Sequence, residues 1–226
     1  MKRNAKQHGA VLLTLLLIAV VAAAAVLLSA FSASGVVRAR EQRTYALLAQ
    51  ASEALVGFAA THGRLPRPTQ AADADGRERS TPCVTDADCT GTLPWRDLGL
   101  PADDSWGHSL RYSVTPAYTV APLARTAAIA TKRVLSRDAN GAPFFVVGQE
   151  TCSLAAQCAP AVVFSRGGSD TPGSHDETGN LAATSDFMQR PRSHEASAPG
   201  GAFDDLLATV PLHTLYERMA AARTLP

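Results

Sequence analysis

The chain has 226 residues, of which 46% are hydrophobic and 18% charged, and its formal net charge at pH 7 is +1. Near-neutral charge, with no clustering of basic residues beyond the first part of the chain, excludes a nucleic-acid surface, so no nucleic acid is expected as a partner. About 190 residues remain beyond Arg38, enough for one domain with its own core.

Lys2, Arg3 and Lys6 are followed by a stretch from Gly9 to Val37 with no charged side chain. From Ala10 to Ala33 only Thr14, Ser29 and Ser32 interrupt apolar residues. Such a run meets the roughly 20 residues that a helix needs to cross about 30 Å of hydrocarbon. It also exceeds the apolar core of about 7–15 residues in a signal peptide, although the small residues Ser32-Ala33-Ser34 keep signal-peptidase cleavage as the competing reading. The expectation is a transmembrane segment over about residues 10–33. Arg38, Arg40 and Arg43 balance the leading lysines and arginine, so positive charge barely orients the span. The cysteines orient it better. Cys83, Cys89, Cys152 and Cys158 all follow the span in two local pairs, which suits disulfides in an oxidising compartment more than zinc. Free or metal-bound thiols and cross-pairing between the two pairs stay open. The chain is therefore expected in the inner membrane as a single-pass protein, its N-terminus cytoplasmic and its C-terminal domain periplasmic.

Residues 38–61 lack proline and are rich in good helix formers, with Tyr45, Leu48, Ala51, Leu55 and Phe58 on one stripe. Gly63 is the expected stop, and Pro66 and Pro68 forbid continuation. A helix from Ala10 to His62 would be on the order of 80 Å long. Between Pro66 and Gly91 the composition is that of a surface loop closed by Cys83 and Cys89, in which Asp86 and Asp88 read as solvated acids or, less simply, as contacts for a cation. Trp95, Leu98 and Leu100 suit a docked turn, and Trp106-Gly107 leads into an alternating strand at Leu110, Tyr112 and Val114. Residues 119–135 are ambiguous; 143–149 and 160–165 read as short strands. Residues 166–201 read as a polar, flexible loop, and the tail shows helical spacing at Leu212, Leu215 and Met219. The fold class expected is α+β: a long N-terminal helix, transmembrane in one half and amphipathic in the other, packed on a small antiparallel β-sheet.

The short basic leader ending at Gly9, the apolar helix, the amphipathic half ending in THGRLP, and the group Asp104, Trp106, Gly107 and Tyr112 together resemble type IV pilin-like proteins. The resemblance is to the pseudopilins and minor pilins of type II secretion and type IV pilus systems, and the FDD…LP ending is similar to that of some members. It implies a pilin-like fold with a leader over residues 1–9, a stem over 10–62 and a globular domain over 63–226. It also implies cleavage by a prepilin peptidase between Gly9 and Ala10 and methylation of the new N-terminus at Ala10. The expected partners are other pilin or pseudopilin subunits, the prepilin peptidase and the inner membrane. Family members usually carry Phe or Met after the cut and Glu at the fifth mature position, where this chain has Ala10 and Thr14. Some subunits at filament tips also lack the glutamate, so the departure points to a minor or initiating subunit.

In the 166–201 loop, Asp170, Asp176, Glu177 and Asn180 offer the oxygen ligands calcium prefers, and the resemblance raises the same idea, since major pseudopilins bind calcium in a loop of this region. Motifs of nucleophile elbows, zinc proteases, P-loops and dinucleotide folds are absent, and the six histidines are scattered singly, so no enzyme is expected. The resemblance implies a structural filament subunit, membrane-anchored before assembly. The alternative is an uncleaved, membrane-anchored periplasmic binding protein.

Overall fold

The computed structural model describes residues 5–69 and 75–225; the side chains of residues 5–10 and 24–34 lie outside that description. The elements in chain order are α1 (Ala5–His62), β1 (Thr90–Thr92), β2 (Arg111–Val114), a 3-10 turn (Pro116–Thr119), β3 (Arg133–Arg137), β4 (Pro143–Val147), β5 (Ala161–Ser165), α2 (His175–Leu181), β6 (Asp186–Met188), β7 (Leu206–Thr209) and α3 (Leu212–Ala221). The chain divides into two units, Met1–Gln42 and Arg43–Pro226.

In the larger unit, β1-β2-β5-β7 form one antiparallel sheet, and β4-β3-β6 form a second in which β3 runs antiparallel to β4 and parallel to β6. Alternation along β5 explains the layering. Ala161 and Val163 point into a core shared with Leu48, Ala51, Leu55, Val56 and Ala59 of α1 and with Leu215 and Met219 of α3. Val162 and Phe164 point the opposite way, into a second cluster with Val134 of β3, Phe187 of β6 and Leu207 of β7. β5 is thus buried along its whole length, which is why AVVFS reads as an unbroken apolar run. α1 stops where Gly63 takes φ +68 and gives its N–H to the Ala59 carbonyl at 2.9 Å. The helical stripe differs from the expected one at its start: Tyr45 is exposed, and Thr44 is the residue turned inward.

Two expectations are corrected. No helix among the described residues is long and apolar enough to cross a membrane. The described apolar side chains of the expected span run over residues 11–23, about 20 Å of helix against about 30 Å of hydrocarbon. The remainder of 10–33 lies outside the described side chains. The fold class with a transmembrane half therefore does not stand, and neither does the single-pass inner-membrane placement with a cytoplasmic N-terminus and a periplasmic domain. The described chain is α+β, with two sheets where one small sheet was expected. The segment 166–201 is also more than a loop, since it contains α2 and β6.

Candidate functional site

Three features bear on function. The first is the described part of α1 in the smaller unit. Its aliphatic side chains are uncovered on every side of the helix: Leu12, Leu13, Leu15, Leu16, Ile18 and Val21 are all more than half exposed. Large apolar surface of this kind marks a contact surface. Thr14 donates its hydroxyl to the Val11 carbonyl at 2.9 Å, satisfying itself within its own helix and leaving no charge to neutralise. Gly9 and Ala10, the expected cleavage and methylation positions, fall in the stretch of α1 whose side chains are not described.

The second is the pair of disulfide rings. Cys83 bonds Cys89 with Cα atoms 5.2 Å apart, and Cys152 bonds Cys158 at 5.6 Å, so the local pairing holds and cross-pairing does not. Disulfides of this kind form in an oxidising compartment. Lys132, just before β3, ties the rings to one another. Its Nζ reaches Asp86 Oδ1, inside the first ring, at 2.5 Å, while its backbone exchanges hydrogen bonds with Ala159, next to Cys158. The ammonium is wholly buried; burial lowers its pKa, and the Asp86 carboxylate works against that shift. The cation that meets Asp86 is therefore the protein's own. Asp88 stays exposed, its N–H bonded to Thr85 Oγ1.

The third is the acidic region around α2. The four residues expected to bind calcium do not converge. Asp176 is buried, with Arg137 Nη2 on Oδ1 at 2.6 Å and both Arg137 Nε and Arg190 Nε on Oδ2, so its carboxylate is saturated by guanidinium. Burial opposes ionisation of Asp176, yet the two arginines hold its carboxyl below the usual range. Asp170 is 95% exposed and turns to His108 Nε2 at 3.1 Å. Asn180 is spent on bonds to Asp205 and to the backbone of Met188.

What does converge is a set that keeps only Glu177 of those four. Glu177, Asp204 and Asp205 offer carboxylate oxygens lying within 4.8 Å of one another. Glu177 accepts the backbone N–H groups of Gly173 and Asp204, and Asp204 Oδ1 is buried with no hydrogen-bond partner. Burial, reinforced by the charges of Glu177 and Asp204, raises the Asp205 carboxyl to about 7. Beside them lies a cavity of about 10 Å³ lined by Arg166, Ser169, Glu177 and Asp205, room for one water or ion. Glu177, Asp204 and Asp205 are the residues here that could hold a hard cation, because carboxylate oxygens are its preferred ligands. The sequence carried a signal for this geometry. Ser174-His175-Asp176-Glu177 is a capping-box pattern, and Ser174 Oγ does accept the Glu177 N–H as the N-cap of α2.

Searches of protein-family models, of curated proteins and of solved structures find no match to this chain.

Proposed function

We propose that this chain is a structural, non-enzymatic subunit of a type IV pilin-like filament, of the pseudopilin or minor pilin class found in type II secretion and pilus machines. The observation that carries the reading is the uncovered aliphatic surface of α1 over residues 11–23, together with the burial of Leu48, Ala51 and Leu55 of the same helix in the core of the larger unit. A helix that is apolar all round needs partners on all sides, and helices of other subunits supply them. The leader ending at Gly9 and the Trp106-Gly107 entry to β2 support the same reading by resemblance. The partners are other pilin-type subunits and the prepilin peptidase, and Thr14 in place of a glutamate favours a minor or initiating position.

The test is a photo-crosslinking amino acid at Leu16 in cells that carry the rest of the machine, with the same group at exposed Arg77 as the control. Crosslinks from position 16 to a second copy or to another subunit with a pilin-type N-terminus are expected. Products no different from those of the Arg77 control would count against the proposal.

A further inference from the structure

Thr92 and Arg111 are register partners across β1 and β2, and Arg111 is opposite Phe164 across β2 and β5. All three therefore share one face of the first sheet, the face that carries the second core cluster. Over β5 and β7 the residues of β3, β6 and α2 cover it. Toward β1 an open groove of about 400 Å³ is left, lined by Thr92, His108, Ser109, Arg111, Arg166 and Leu181.

Arg111 stands apart from the paired arginines of the chain. Arg64, Arg133, Arg137 and Arg190 each hold a carboxylate. Arg111 has none among the described residues, and its Nε is buried without a hydrogen-bond partner. Burial and the positive charge of Arg166 both act to lower its pKa, and no acid offsets them. Arg166 gives one hydrogen bond to the backbone carbonyl of Asp170 at 3.1 Å, whereas the Asp170 carboxylate turns to His108. Arg166 also lines the small cavity beside Glu177 and Asp205 and acts on the Asp205 carboxyl, whereas Arg111, next to a second guanidinium and with no carboxylate on it, carries a desolvation cost that an incoming anion removes.

We propose that this groove binds a phosphate group, with Arg111 and Arg166 supplying the charge and the Thr92 hydroxyl a further donor. Guanidinium forks match the oxygens of a phosphate. Thr92 of β1, Arg111 of β2 and Arg166 after β5 bring three separate donor side chains to the one groove. The phosphate is either free, alone or on a small ester, or part of a lipid headgroup. The site is independent of the filament reading.

The experiment is calorimetric titration of the full chain with inorganic phosphate at constant ionic strength, with the exposed-site variant Arg77→Gln as the control. Saturable binding is expected, weakened about tenfold or more in Arg111→Gln and in Arg166→Gln. Two variants are used because loss of either donor weakens the same site, so Arg166→Gln decides should Arg111→Gln not fold. Absence of saturable binding, or affinity unchanged in the folded variants, would overturn the proposal. Soluble short-chain phosphatidic acid distinguishes the sources: tighter binding than inorganic phosphate assigns a headgroup, and equal binding assigns free phosphate.

Discussion

The buried ammonium of Lys132 and the carboxylate of Asp86 meet at 2.5 Å, joining the first disulfide ring to the start of β3. The two ends of this pair are unequally exposed, since Lys132 is sealed in and the Asp86 side chain is 34% exposed. Removing either partner therefore has a different cost. Asp86→Ala strands a buried cation and is expected to lower stability by about 3 kcal/mol. Lys132→Met leaves a carboxylate that still reaches water and Ser185 Oγ, and is expected to cost roughly 1 kcal/mol. Urea denaturation of both variants checks the order; equal losses would contradict it.

Asp205 sets a pH dependence of unusual sign. Its carboxyl is raised from an unfolded value of 3.8 to about 7, so between these limits the native chain holds a proton that the unfolded chain has lost. Stability contributed by this group is full below about 4, falls as pH rises, and is gone above about 7. Asp176 and Glu78, both held low by arginines against the opposing effect of burial, act in the opposite sense at more acid pH. In chelator, the urea midpoint is expected to fall between about pH 4 and 7, and Asp205→Asn is expected to flatten that fall.

The same cluster governs a calcium titration. Calcium is expected to raise the thermal midpoint of the chain through Glu177, Asp204 and Asp205. Asp204→Asn should abolish the response, whereas Asp170→Asn, at a side chain facing His108, should leave it intact. Superimposable melting curves with calcium and with chelator would remove calcium from the account.

Local signals in the sequence were readable, and distant pairings were not. The C-terminal part of α1, its stop at Gly63, the entry to β2, the disulfide pairs and α3 all rest on neighbours a few residues apart. Tyr45 and Thr44 differ by one step of helical phase, which spacing alone does not fix. β6 and β7 are three and four residues long and owe their existence to partners β3 and β5. Of the expected calcium ligands, Asp170, Asp176 and Asn180 are engaged elsewhere for the same reason, while Glu177 joins Asp204 and Asp205. Asp176 looks like a free ligand until Arg137, 39 residues away, is folded onto it. β4 shows the converse: PFFVV is apolar enough for a core, yet it lies at the edge of its sheet with Phe144 and Val146 about half exposed.

The central claim, a filament subunit processed like a pilin, is tested most directly by intact and N-terminal mass spectrometry of the chain purified from cells that hold its machine. The account predicts a chain beginning at N-methylated Ala10, with residues 1–9 removed. A chain that keeps Met1 to Gly9 would contradict it.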